Sequence, residues 1–199
     1  LRSFNMKMTE EMNRIIADRL STLLFCPTDT AVSNLKAEGI VDGVYNVGDV
    51  MYDAALYSGN CAELESSILH RLDLNKVGFL LATCHRAENT DNRERLSSIL
   101  SCLSVLSKSI PVIFPMHPRT RGAIDRFQYE HLLDGITVID PISYMDMVSL
   151  ERNSKAIITD SGGIQKEAYF YKVPCITLRD ETEWAETVTS GWNTQIGRA

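Results

Sequence analysis

The sequence lacks the signatures of several protein classes. Its five cysteines (Cys26, Cys61, Cys84, Cys102, Cys175) form no CxxC pair and no His–Cys metal spacing. Scattered and odd in number, they read as reduced cytosolic thiols rather than a disulfide framework. No apolar run approaches the ~20 residues that span a bilayer, and no signal peptide is evident. There is no Lys/Arg cluster, and the formal net charge of −6 argues against a nucleic-acid binder. Internal repeats and low-complexity segments are missing too. What remains is 199 residues, 44% hydrophobic and 23% charged. That is enough apolar material for a core, in one large domain or one domain plus a piece of another. The chain opens at Leu1 without Met and stops just after Trp192-Asn193-Thr194-Gln195. Neither end reads as a natural tail, so a fragment of a longer protein is expected.

Thr9 reads as a helix N-cap, with Glu10 and Glu11 in the first turn and Met12, Ile15, Ile16 and Leu20 on one face. Leu23–Cys26 and Val44–Val47 read as strands around a helix capped by Thr28-Asp29 and closed by Gly39. Gly48-Asp49 then lead into a helix-like Val50–Tyr57, and a domain boundary is expected near Gly48. Beyond it, strands are expected at Val77–Thr83, Pro111–Pro115, Ile136–Ile139, Ala156–Thr159 and Val173–Leu178. Helices are expected at Asp91–Leu106, Thr120–Phe127, Ser143–Leu150 and Gly163–Tyr171. The alternation predicts an α/β fold, a Rossmann-like, doubly wound parallel sheet with helices on both faces.

His85, Arg86, Glu88, His117, Asp160, Ser161 and Arg179 all fall just past the C-terminal end of an expected strand, the edge where open α/β sheets bind ligands. The central stretch is Ile157 to Ala168, a strand ending in Thr159-Asp160-Ser161-Gly162-Gly163 and running straight into a helix. Glycines let a backbone approach a ligand closely, and the first amides of a helix favour an anion such as phosphate. Ser161 adds a hydroxyl, and Glu167 on the second turn could accept hydrogen bonds from sugar hydroxyls. An ordinary capped turn would read the same way. His85-Arg86-x-Glu88 packs an imidazole, a guanidinium and a carboxylate into four residues, suited to phosphate and proton chemistry or to a loop ion-pair cluster. His117 could equally hold a backbone group, Glu10 could merely complement a helix dipole, and Arg2 carries no signal unaided. Trp184 and Trp192 read as packing residues, and His70 and His131 as exposed helix ends.

Taken together, these residues match a family. Leu1-Arg2-Ser3, Glu10 to Arg14, Pro27 to Thr30, Gly48 to Ala54, His85-Arg86-Ala87-Glu88-Asn89, His117 to Thr120, Thr159 to Glu167 and Arg179 to Glu183 follow one order. In that order the chain resembles the non-hydrolysing UDP-N-acetylglucosamine 2-epimerases, which share the GT-B architecture of two Rossmann-like domains. The resemblance implies that residues 1–47 are the last part of the N-terminal domain. Residues 48–199 would then be the nucleotide-binding domain without its final helices.

The implied reaction converts UDP-GlcNAc to UDP-ManNAc by eliminating and re-adding UDP. The diphosphate clamp maps onto Ser161, Gly162 and Gly163 with His85, the ribose contact onto Glu167, and the uracil site onto Pro141–Met147, including Ile142 and Met147. Glu10 and His85 map onto catalytic groups. Arg2, Arg86, Glu88, His117, Arg179 and Glu183 map onto substrate contacts.

No metal or cofactor is implied. The other catalytic carboxylates of the family lie upstream of Leu1, so the chain alone is expected to be inactive. Trp184 stands where some members carry Arg, and Ile142 where some carry Gln. The Arg-Asp-Glu-Thr-Glu-Trp form is similar to the branch found in surface-polysaccharide pathways. A cytoplasmic protein, a homodimer when full-length, is the expectation. The rival readings are a GT-B glycosyltransferase, a hydrolysing epimerase and a non-catalytic UDP-sugar sensor.

Overall fold

The computed structural model describes residues 1–6, 8–74 and 78–197. The chain begins with α1 (Thr9–Leu20), β1 (Leu24–Cys26), α2 (Asp29–Ala37) and β2 (Val44–Asn46). β1 and β2 pair in parallel as a separate two-stranded sheet, and Leu24, Cys26, Ala31 and Leu35 form a small core under it. The Thr28 side chain caps α2 by accepting the Ala31 N–H, and Gly39 leaves the helix at φ +78°.

One expectation for α1 fails: Met8, not Thr9, is the N-cap, and it makes no side-chain cap bond. Met12, Ile16 and Leu20 are 49%, 55% and 81% exposed, so the apolar face read from the sequence lies largely open to solvent.

Gly48, at φ +79°, turns the chain into α3 (Val50–Glu65), capped by Asp49, and the short α4 (Ile68–Arg71) follows. Next come β3 (Leu80–Thr83), α5 (Ala87–Thr90), α6 (Arg93–Ser107), β4 (Val112–Pro115) and α7 (Pro118–Phe127). A 3-10 turn at Glu130–Leu133 leads to β5 (Thr137–Ile139), α8 (Tyr144–Asn153), β6 (Ala156–Thr159) and α9 (Gly162–Phe170). β7 (Cys175–Thr177), α10 (Ala185–Thr189) and β8 (Asn193–Gln195) complete the chain.

The six strands β3 to β8 form one sheet in the order β5-β4-β3-β6-β7-β8, with every recorded pairing parallel. Strand order reverses between β3 and β6, the switch point of a doubly wound sheet. Successive strand residues face opposite sides. Ala82, Val112, Phe114 and Ile158 join Leu96, Leu100 and Leu103 of α6 and Ile124 of α7 in one core. Leu81, Ile113 and Ile157 join Ile68, Leu150 and Ala168 from α4, α8 and α9 in the other. Burial of both faces explains why the strands read as continuous apolar runs.

The expected helices and strands of this region are present with small boundary shifts, except that α3 runs on from the expected Tyr57 to Glu65. Val77, the expected start of one strand, lies outside the described residues. α4, α5, the 3-10 turn, α10 and β8 were not foreseen. β8 is Asn-Thr-Gln, an edge strand with no apolar signal.

Candidate active site

At the switch point one side chain organises the loops. Asp160, fully buried at the end of β6, accepts the backbone N–H of His85 (3.0 Å), the backbone N–H of Arg86 (2.9 Å) and Asn89 Nδ2 (2.9 Å). Asn89 also donates to the Leu178 carbonyl, and Arg86 Nε donates to the Asp160 carbonyl. Thr83 and Thr159 share a hydrogen bond of 2.6 Å between the ends of β3 and β6. The segment read as a loop therefore contains a helical turn, α5, hung on a carboxylate 70 residues or more away in sequence.

His85 lies beside His117, ring centroids 5.6 Å apart, with Nδ1 3.4 Å from Asp160 Oδ1. Burial holds its pKa below the usual histidine range, and His117, Arg86 and Arg119 add to this against the opposing pull of Asp160. The imidazole is thus neutral at pH 7. The His117 ring accepts the Arg119 N–H and caps α7, with Pro118 at its first position, the structural use weighed for it above.

Across a gap stands α1. Glu10, its side chain 57% exposed, is 3.9 Å from Arg86 Nη1. A cavity of about 620 Å³ opens between Asn5, Met8 and Glu10 on one side and His85, Arg86 and Arg119 on the other, with Glu88 in its wall. That volume is in the range of small-ligand pockets.

Below it, Arg179 is fully buried. Its Nη1 donates to Glu183 Oε2 at 2.9 Å, while its Nε lies 3.6 Å from Glu88 Oε1, and neither of those two atoms has a hydrogen-bond partner. Burial raises the Glu88 pKa despite Arg179. Burial also pushes Glu183 upward, but Arg179, a backbone hydrogen bond and Arg14 together outweigh it and hold that carboxylate below its usual value. Arg179 and Glu183 thus form a buried base for the site, and Arg14 ties it to α1 at 3.4 Å.

The Ser-Gly-Gly turn divides its work. Ser161 Oγ caps α9 by accepting the Ile164 N–H. A Cβ on Gly162 would stand 2.7 Å from Glu183 Oε1 and 3.4 Å from Trp184 Nε1, so the missing side chain makes room for the protein's own groups. Only Gly163 faces open space, with nothing nearer than Ser161 Oγ at 3.8 Å. An anion would therefore meet the N-terminus of α9 at Ser161 and Gly163. On the second turn, buried Glu167 accepts the Tyr144 O–H at 2.7 Å. Burial raises the Glu167 pKa against that hydrogen bond.

Arg2 and the expected uracil loop are each engaged within the chain. Arg2 is buried with its guanidinium bidentate on Glu38 (2.6 and 3.0 Å) and 2.8 Å from Asp18. It fastens α1 to α2 and is no part of the cavity wall. The expected uracil loop Pro141–Met147 is only partly a loop, because Ser143 caps α8 and Met147 donates into that helix. Ile142 and Met147 pack against the core rather than standing free.

Asn5, Met8 and Arg119 line the cavity and were not assigned roles from sequence. Their only signal was proximity to the Glu10 and His117 motifs. Among the described residues no group of three or more His, Cys, Asp or Glu could hold a metal, and no helix is long and apolar enough to cross a membrane.

A doubly wound parallel sheet with a helix N-terminus and a His-Arg loop at its switch point is a Rossmann-type fold. The family model for UDP-N-acetylglucosamine 2-epimerase matches residues 1–199, and the chain belongs to that family. It is 49% identical over 99% of its length to a UDP-N-acetylglucosamine 2-epimerase homolog of Methanococcus maripaludis, covering 56% of that protein. It is 48% identical over 100% of its length to the UDP-2,3-diacetamido-2,3-dideoxy-D-glucuronate 2-epimerase of Pseudomonas aeruginosa, covering 55% of it. The Methanocaldococcus jannaschii UDP-GlcNAc 2-epimerase, solved with UDP-GlcNAc and UDP, superposes with a TM-score of 0.90 at 40% identity. That match covers 98% of this chain and 56% of the solved one. The chain thus spans little more than half the length of these relatives.

Proposed function

We propose that this chain is the nucleotide-binding part of a UDP-N-acetylglucosamine 2-epimerase. The observation that carries the reading is the meeting, on Asp160, of the His85-Arg86 loop and the Ser161–Gly163 helix start. Residues 1–47 are read as the end of an N-terminal Rossmann-like domain and 48–199 as the nucleotide domain.

The reaction removes the proton from C2 of the sugar. The C1–O bond then breaks, its electron pair leaves with UDP, and a C1=C2 double bond remains. Re-addition of UDP, with a proton delivered to the opposite face of C2, gives the epimer. UDP gains charge as it leaves, so preorganised donors along its path lower the barrier. The α9 N-terminus with Ser161 and Gly163, together with His85 and Arg86, supplies them. Glu10, across the cavity from Arg86, is one acid/base group at C2. The others are proposed to lie in the part that the relatives carry and this sequence does not. Glu167 with Tyr144 receives the ribose diol, and the start of α8 near Ile142 receives the base.

The 48% identity to the uronate enzyme favours a second reading of the sugar, one bearing a C6 carboxylate. Arg86 and Arg119 stand in the cavity wall where such a group could be met. A cytoplasmic setting, a homodimer and a place in surface-polysaccharide synthesis complete the proposal.

Calorimetric titration with UDP tests it. Wild type should bind, and Ser161→Ala and His85→Ala should each weaken binding by about tenfold, the worth of one charge-assisted hydrogen bond. Unchanged affinity in both variants, or no binding at millimolar UDP, would sink the reading. In a protein carrying the whole cleft, solvent deuterium at C2 separates epimerisation from simple glycosyl transfer, and release of free ManNAc would mark a hydrolysing enzyme. Indifference to Glu10→Ala would mark a sensor.

A further inference from the structure

Glu167, on the second turn of α9, is the group offered to a ribose diol in the reading above, yet the residue is only 9% exposed. Burial strips a carboxylate of water and disfavours its charge. A diol presents two O–H donors. An ionised carboxylate accepts from both, whereas a protonated one turns one of its oxygens into a donor. A carboxylate with free torsions would also have to be ordered by each ligand it meets, at a cost in affinity. The subsite therefore needs a group that keeps Glu167 an acceptor and fixes its direction.

Tyr144 is placed to do both. It stands on the first turn of α8 and donates its phenol O–H to Glu167 Oε1 at 2.7 Å, across 23 residues of sequence. That length is typical of a hydroxyl on a charged oxygen. The helix start that carries Tyr144 is fixed from two sides. Ser143 caps it by accepting the Asp146 N–H, and Ser66, just past α3, donates to Asp146 Oδ1 at 2.6 Å. No other described residue hydrogen-bonds to the Glu167 carboxylate, and its Oε2 is not closed off from solvent. One oxygen is thus anchored to the protein and the other is left for a ligand. Tyr144 is itself 49% exposed, so the bond lies at the surface between α8 and α9 and not within the core. Its opposition to the effect of burial on Glu167 agrees with this geometry.

We propose that Tyr144 is a positioning residue of the nucleoside subsite: its phenol anchors one oxygen of Glu167 and so aims the carboxylate at the 2′- and 3′-hydroxyls of a ribonucleotide. The ribonucleotide rests on the nucleotide-sugar reading, while the anchoring of Glu167 does not. Replacing Tyr144 by Phe keeps the ring and removes only the hydroxyl. Glu167 is then free to turn, and the diol loses its partner while the diphosphate contacts stay as they were.

A double-mutant cycle read with two ligands tests this. Calorimetry compares UDP with 2′,3′-dideoxy-UDP in wild type, Tyr144→Phe, Glu167→Gln and the double variant. Wild type should prefer UDP by about tenfold or more. Tyr144→Phe should lower UDP affinity about tenfold, the worth of one charge-assisted hydrogen bond, and leave dideoxy-UDP within about twofold. In the Glu167→Gln background the same replacement should change UDP affinity less than about twofold, because Tyr144 acts through the carboxylate. Should Glu167→Gln fail to fold, the two ligands on Tyr144→Phe still decide. UDP affinity that is unchanged or raised in Tyr144→Phe overturns the positioning role, and so does an equal loss for both ligands. A full loss in the Glu167→Gln background overturns it too, since Tyr144 would then act on its own. Equal affinity of wild type for the two ligands removes the diol contact and the positioning role, and the nucleotide reading stands. Absence of binding by either ligand overturns the nucleotide reading and the role with it.

Discussion

Replacing Asp160 tests the central claim about the site, that one buried carboxylate holds the His85-Arg86 loop against the sheet. In Asp160→Ala three donors lose their acceptor: the N–H of His85, the N–H of Arg86 and Asn89 Nδ2. Asn89 also reaches the Leu178 carbonyl, and the two backbone groups are part-buried and can recruit water. Each loss is therefore taken at the low end, about 1 kcal/mol, for a total near 3 kcal/mol. For a chain of this length that is about 6–12 °C in Tm. Asp160→Asn keeps one oxygen for the Arg86 and Asn89 donors but turns an amide N–H₂ toward His85, so it should lose less, about 1–2 kcal/mol. Urea and thermal unfolding of the two variants beside Asp134→Asn, an exposed control expected within about 0.5 kcal/mol, measure this. The reasoning is refuted if Asp160→Ala costs under about 1 kcal/mol, or if the Asn variant is the less stable of the two. UDP affinity should fall in step with stability, since the loop that carries His85 comes loose.

The two glycines should separate cleanly. Gly162→Ala drives a methyl to 2.7 Å from Glu183, which Arg179 and Arg14 hold in place, and should cost about 1–3 kcal/mol in urea unfolding. Gly163→Ala meets open space and should leave stability within about 0.5 kcal/mol or raise it, while weakening UDP binding. Glu11 gives a pH test. It is buried, which raises its pKa, but the Ser3 N–H and O–H, the Phe4 N–H and Arg14 bring it below the unfolded value. Its stabilisation is complete above the unfolded carboxylate range and is lost as pH falls through the folded pKa. Thermal scans from pH 6 to 3 should show the advantage of wild type over Glu11→Gln shrinking with acid, and parallel curves would count against it.

The sheet was legible because a strand buried on both faces leaves a mark nothing else in the chain imitates. Pro111 to Pro115 and Ala156 to Thr159 are short apolar runs closed by polar turns, and both became central strands. Caps were legible where side-chain chemistry is local, as at Thr28 and Ser143. α1 shows the limit of periodicity, which announces an apolar face without saying what covers it. β8 was invisible because an edge strand is defined by its neighbour β7 rather than by its own residues.

The same distinction separates the legible part of the site from the rest. His85, Arg86 and Ser161 stand out because strand ends and helix starts have positional chemistry that a sequence displays. Gly162 has a second reason to be glycine. Its missing Cβ makes room for Glu183, some twenty residues on, and no local pattern can tell a space kept for a ligand from one kept for the chain itself. Arg2 maps onto a substrate contact through the resemblance, and in the structure its guanidinium is held by Glu38 and Asp18, since a cation answers whichever carboxylates the fold brings nearest. Tyr144 gave no signal of its own, because a tyrosine at a helix start looks like any other until the opposing helix is in place. A motif therefore marks where chemistry can occur, and only the long-range partners decide which of its side chains remain available for it.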